Sequence, residues 1–164
     1  MSFPSRLGLC AFLGSAALLG GAYYFQYVVG LAPCEMCWWQ RYPHMVAIAA
    51  GLIAVVAFGH PNVAMFFTLI AITALAVTAG LGVFHVGVEH HLWRGPQACT
   101  GMVPRGLPLD QLKKYLLGAK MIRCDEPAWV FLGVSMAGWN AICSGGLALL
   151  LGTHVVKHIR AKPE

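Results

Sequence analysis

From Leu7 to Val29 the chain runs without one charged side chain. At 1.5 Å per helical residue that run is long enough to cross the roughly 30 Å apolar core of a bilayer. Three further uncharged runs follow: Tyr42 to Phe58, Val63 to about Val88, and Gly138 to Val156. Lipid offers no partner for backbone N–H and C=O groups, so a spanning run must satisfy them within itself, as an α-helix. A cleaved signal peptide is a poorer reading of the first run, since its apolar stretch needs only about 7–15 residues. The second run is slightly short and becomes adequate if Trp38 and Trp39 sit among the headgroups. Composition agrees: 59% of residues are hydrophobic, 10% are charged and mean hydropathy is +0.69, where a soluble domain carries about 25% charged residues. The formal charge of +5 is too modest and too scattered for a nucleic-acid partner.

The expected fold is therefore an all-α integral membrane protein, one domain over residues 1–164. It is a four-transmembrane-helix bundle with spans at about 7–29, 42–58, 63–88 and 138–156. Gly14, Ser15, Ala16, Ala17, Gly20, Gly21 and Ala22 supply small residues for close helix contact. Gly59-His60-Pro61-Asn62 is a tight break that makes the second and third spans antiparallel neighbours. Two loops remain, a short one at 30–41 and a long one at 89–137 interrupted by Pro96, Pro104, Pro108 and Pro127. Within the long loop Leu109, Leu112, Leu116 and Leu117 follow helical spacing opposite Lys113 and Lys114, the pattern either of a short amphipathic helix on a membrane surface or of one solvated turn packed on the loop itself. With four spans, the loop before the second and the loop after the third emerge on the same face. A bare count of Lys and Arg would put that face in the cytoplasm. Paired cysteines persist oxidised outside it, and several of the basic residues lie far from any span end. The expectation is an extracytoplasmic face for both loops.

Six cysteines are present. Cys10 and Cys143 fall inside apolar runs, where a free Cys is a small hydrophobe. Cys34, Cys37, Cys99 and Cys124 fall in the loops, an even set of the size two disulfides need. Cys34-x-x-Cys37 excludes haem attachment, because Trp38 stands where a His is required. Zinc ribbons call for a second closely spaced pair, which Cys99 and Cys124 are not, although four thiolates from both loops could still meet on one ion. Thiol–disulfide exchange fits better, since a short-range dithiol resolves mixed disulfides quickly. Arg41 lies one helical turn past Cys37, where it could support a thiolate or a ligand carbonyl, or simply snorkel to the interface. Glu89, His90 and His91 end the third span with His85 about a turn earlier, either as proton-exchanging groups near a ligand or as ordinary interfacial histidines. No metal site is expected there, for want of a clear third ligand.

Together these residues resemble the disulfide bond formation protein B (DsbB) family of bacterial inner-membrane thiol oxidases. The resemblance rests on Pro33-Cys34-x-x-Cys37-x-x-x-Arg41, Glu89-His90, Pro108-Leu109-Asp110, and Cys124-x4-Trp129-x-Phe131-Leu132-Gly133-x-x-Met136-x-x-Trp139. It implies a multi-pass protein of the inner membrane, with cytoplasmic termini and both cysteine loops periplasmic. It further implies a Cys99–Cys124 disulfide attacked by a reduced, DsbA-like thioredoxin-fold partner, with Cys99 in the mixed disulfide. Electrons would then pass to Cys34–Cys37 and from Cys37 to a membrane quinone, ubiquinone or menaquinone, with Arg41 and His90 at the quinone. A catalytic disulfide of that kind is expected to be strained or mobile.

Two other readings compete. The vitamin K epoxide reductase type also combines four spans with a Cys-x-x-Cys, but late in its chain, whereas here the motif comes early. A zinc-stabilised membrane scaffold or transporter subunit is the alternative of a different class. A transporter is expected to show inverted repeats or polar residues at mid-membrane, and the spans show little of either.

Overall fold

The computed structural model describes residues 1–96, 108–110 and 123–161. Among these, four long helices run α1 (Phe3–Tyr27), α2 (Glu35–Val56), α3 (Pro61–Glu89) and α4 (Met136–Arg160). Proline opens α1 and α3, where its missing N–H costs nothing. Ser135 caps α4 by accepting from the Gly138 N–H at 3.1 Å, and Lys157, His158 and Arg160 meet the negative end of that helix. α1, α3 and α4 are each long and apolar enough to cross a membrane. α2, at about 33 Å, has the length but is less apolar, because its first two turns hold Glu35, Gln40 and Arg41.

Two expectations change here. The second helix begins at Glu35, well before Tyr42, because Cys34 caps it, and Pro43 lies inside it. The end of the long loop is not irregular: Val130–Phe131 (β1) pairs antiparallel with Val134–Ser135 (β2). The turn between them places Leu132 at φ 52 and Gly133 at φ 78, the left-handed pair that a two-residue hairpin needs. Trp139 Nε1 donates to the Phe131 carbonyl at 3.1 Å and fastens the hairpin to α4. Leu109 and Asp110 are helical; the rest of the expected amphipathic helix, and Cys99, lie outside the described residues.

The bundle is small-sided within and apolar without. Ala11, Ala47, Ala50, Ala71 and Ala74 fill the centre beside Leu7, Leu75 and Leu151, while Leu13, Phe66, Leu69, Leu149 and Leu150 face outward. That inversion suits lipid, where helices associate through close contact of small residues rather than through expulsion of water. α2 packs extensively on both α1 and α3, and α3 on α4, whereas α1 and α4 touch only sparsely. The turn at Ala57–His60, closed by His60 N–H to the Ala57 carbonyl at 2.9 Å, makes α2 and α3 antiparallel neighbours as expected.

Candidate active site

The chain enters α2 through Gly30, at φ 83, and the extended residue Cys34. Cys34 is the N-cap, and its Sγ accepts from the Cys37 N–H at 3.1 Å. The same Cys-x-x-Cys spacing that caps the helix brings the two sulfurs together, 2.6 Å apart. Cys34 is buried and Cys37 half-buried. The hydrogen bond shared with Cys37, reinforced by burial, pushes the Cys34 thiol well above its ordinary range.

Cys124 arrives from the far end of the chain into this same place. It is 1% exposed, is disulfide-bonded, and packs in one cluster with Cys34, Met36 and Val88, flanked by Cys37 and Trp39. Beside it, Arg123 grips Asp125 through two hydrogen bonds of 2.9 and 2.6 Å and reaches Glu126 at 3.2 Å. That guanidinium holds the Asp125 carboxyl below the usual carboxylate range. Both loops that carry chemistry thus meet at one end of the bundle, as the span parity requires.

Behind the sulfurs lies a buried polar chain that crosses three helices. Asn140 Nδ2 donates to Gln40 Oε1 at 2.8 Å, which fixes the Gln40 amide so that its Nε2 faces His85 Nδ1 at 2.8 Å. His85 Nε2 then points to Cys34 Sγ at 3.7 Å and lies 4.0 Å from Glu89 Oε1. The Cys124 backbone also hydrogen-bonds His85. On the other side, Asn140 Oδ1 receives His44 Nε2 at 2.9 Å and the Ser144 hydroxyl at 3.0 Å, while Thr78 donates to the Gln40 carbonyl at 2.9 Å. His44 Nδ1 and Ser15 Oγ are the only buried side-chain polar atoms among the described residues without a partner.

A cavity of about 400 Å³ opens along this chain, where α1 and α4 part. Its walls are largely apolar, from Leu18, Ala22 and Phe25 across to Trp129, Phe131 and Trp139. Cys37, Gln40, Arg41, His44, His85 and Asn140 supply its polar side, with Glu89, Arg123 and Glu126 also on its lining. Arg41 is 6% exposed, so it does not snorkel. It donates to the Gln26 side-chain carbonyl and to the Ala22 backbone carbonyl at 3.4 Å, and stands 5.0 Å from the Tyr23 ring and 4.8 Å from the Trp38 ring. No carboxylate pairs with it among the described residues, so a cation lies against the cavity with only neutral partners. A flat apolar molecule bearing carbonyl oxygens matches such a space.

Matched against known proteins, the chain agrees over residues 4–154 with the family model described as disulfide bond formation protein DsbB. The chain belongs to the DsbB family. It is 35% identical over 159 residues to disulfide bond formation protein B of Methylococcus capsulatus, covering 90% of this chain and 92% of that one. The Marinobacter nauticus protein of the same description is 32% identical over 153 residues, covering 88% and 87%. That of Polaromonas naphthalenivorans is 32% identical over 167 residues, covering 97% and 95%. No solved structure matches the chain. As a DsbB-family member, it is a multi-pass membrane protein of disulfide bond formation with disulfide oxidoreductase character.

Of the residues expected at a DsbB-type site, Cys34, Cys37 and Arg41 line the cavity and Cys124 packs against Cys34. His90 caps the end of α3, exposed and outside the cavity lining. The buried histidine beside the sulfurs is His85. Gln40, His44 and Asn140 were not anticipated as members of the site. In the sequence His44 and Asn140 show only as polar residues within otherwise apolar runs, and Gln40 only as a polar residue beside Arg41 in the first loop.

Proposed function

We propose that the protein reoxidises a DsbA-like periplasmic thiol oxidase and delivers the electrons, through Cys99–Cys124 and then Cys34–Cys37, to a membrane quinone. The observation that carries this reading is the burial of Cys124 against Cys34 beside the cavity that Cys37 lines. The partner's thiolate attacks Cys99, and Cys124 leaves as a thiolate. Resolution by the partner's second thiol releases it oxidised. Cys124 then attacks Cys34, re-forming Cys99–Cys124 once Cys99 displaces Cys34, and Cys37 is freed as a thiolate facing the cavity. The chain ends with two thiols at Cys34 and Cys37 for each disulfide made in the partner, so electrons and protons balance.

Cys34–Cys37 closes again as the electron pair and two protons leave, and a quinone held between Arg41 and the aromatic walls would supply the acceptor for them. Arg41 supplies hydrogen-bond donors toward a ring oxygen, and the aromatic walls exclude water. A DsbA-type protein is itself a strong oxidant, with a reduction potential of about −120 mV, so its reoxidation needs an acceptor of still higher potential, which quinones provide. The periplasmic orientation follows from the same reading.

The test is quinone reduction by purified protein in detergent, driven by a reduced DsbA-type substrate. Wild type is expected to turn over. Cys37→Ser and Cys99→Ser should stall, with Cys99→Ser still oxidising a small dithiol. A wild type that reduces no quinone overturns the reading.

A further inference from the structure

We infer that the reduced site is a redox-gated binding site for a soft divalent cation, with Cys34 Sγ, Cys37 Sγ and His85 Nε2 as ligands. These three atoms all lie within 4.8 Å of one another, on two helices, at the buried end of the cavity. Tetrahedral zinc with bonds of about 2.3 Å to sulfur and about 2.0 Å to nitrogen sets its ligand atoms roughly 3.5–3.8 Å apart. The Cys34–His85 separation of 3.7 Å already meets that spacing. Only the two sulfurs, 2.6 Å apart, must open, by about 1 Å. A Cys-x-x-Cys at a helix start is a natural half-site for such an ion, because the first turn directs both sulfurs to one side.

Glu89 Oε1 stands 4.0 Å from the same histidine nitrogen but outside the three-atom cluster, so the fourth position is left to a solvent ligand. The other ring nitrogen, Nδ1, meets the Gln40 amide at 2.8 Å. As the amide stands, held by Asn140 and by the Met36 carbonyl, its Nε2 donates to Nδ1 and the ring hydrogen sits on His85 Nε2. Ligation through His85 Nε2 therefore requires Gln40 to turn over and give up those two contacts, so that its oxygen accepts from Nδ1–H as the second contact of a metal-bound histidine. Loading is balanced as two thiols plus M²⁺ giving the dithiolate complex and two protons. Once Cys34 and Cys37 are joined in a disulfide, no thiolate remains and the ion is lost. The site therefore exists in one redox state only. Under the proposed function, an ion bound there holds the dithiol back from the quinone and stalls turnover, so zinc would act as a brake and not as a scaffold.

The experiment is a titration of the full chain in detergent with Co²⁺ alone, after reduction and removal of reductant without oxygen, followed by displacement with Zn²⁺. The expected result is one Co²⁺ per reduced chain, with thiolate-to-cobalt absorption and intense tetrahedral bands, and no binding once Cys34–Cys37 is oxidised. His85→Ala should weaken binding at least tenfold and lose the tetrahedral bands, with circular dichroism checking the fold. His85→Asn serves as the second variant should the first misfold. The double variant Cys99→Ser, Cys124→Ser should keep one equivalent. Unchanged binding in both His85 variants, loss of the ion in the double variant, or an ion retained by the oxidised chain each overturns the assignment. The titration contains neither quinone nor thiol partner, so its failure is separable from failure of the proposed function.

Discussion

Gln40 is the side chain on which the buried polar chain turns. It receives Asn140, faces His85 and donates to the Met36 carbonyl at 3.2 Å. Gln40→Leu keeps the volume and strands His85 Nδ1, at about 1–3 kcal/mol, while Asn140 Nδ2 keeps Thr78. The variant should melt well below wild type in detergent and lose thiol oxidation through a displaced His85. A wild-type melting temperature would mean that the chain of amides and imidazoles is not holding the helices. Asp125 gives a prediction in pH. Arg123 lowers its folded pKa, so its stabilising contribution is complete above the ordinary carboxylate range and is lost only as pH falls through the lowered value. Hydrogen exchange of residues 123–126, corrected for intrinsic rates, should be flat from pH 7 to pH 5 and rise in stronger acid, whereas Asp125→Asn should exchange fast throughout. Cys34, Cys37 and Arg41 were legible in the sequence because a local spacing fixes their relation. His85 was legible as one of two readings, a proton-exchanging group near a ligand or an ordinary interfacial histidine, whereas Gln40, His44 and Asn140 were not. A solitary polar residue in an apolar run reads the same whether it meets a partner on another helix or not, and only the packing of α2, α3 and α4 decides.

The helices were legible as runs without charge, and their ends were less so. α2 reaches back to Glu35 because its cap is a cysteine sulfur, outside the usual set of Ser, Thr, Asp and Asn, and Pro43 read as a boundary because its ring opposes a continued helix. The hairpin at Val130–Ser135 was hidden in a stretch whose prolines suggest irregular structure. Contact between α1 and α2 depends on Gly51: a β-carbon there would stand 2.7 Å from the Gly8 carbonyl oxygen and 2.9 Å from the Phe12 nitrogen. Both are backbone atoms, so neither can swing aside. Gly51→Ala should cost about 1–3 kcal/mol by forcing the helices apart. Gly80, whose β-carbon would meet nothing within 4 Å, should instead tolerate Ala or gain up to about 1 kcal/mol of helix propensity. Thermal melts of the two variants in one detergent compare them directly, and equal losses would sink the account.

Across the bundle as a whole, the turn at Gly59 and the segment around Glu126 lie at opposite ends of the helices. With the cysteine loops periplasmic, a membrane-impermeant maleimide added to spheroplasts should modify Glu126→Cys and spare Gly59→Cys, read from the mass of the peptide carrying the new cysteine. The reverse labelling would restore the orientation that the basic residues suggest. The sparse meeting of α1 and α4 has its own consequence for how such a protein is fed. A ligand that slips in sideways between them comes from the lipid, so what governs occupancy is the number of ligand molecules per lipid molecule, not per volume of water. Adding more bilayer or detergent at constant total ligand would thin the supply and slow the protein, although nothing in the aqueous phase had changed.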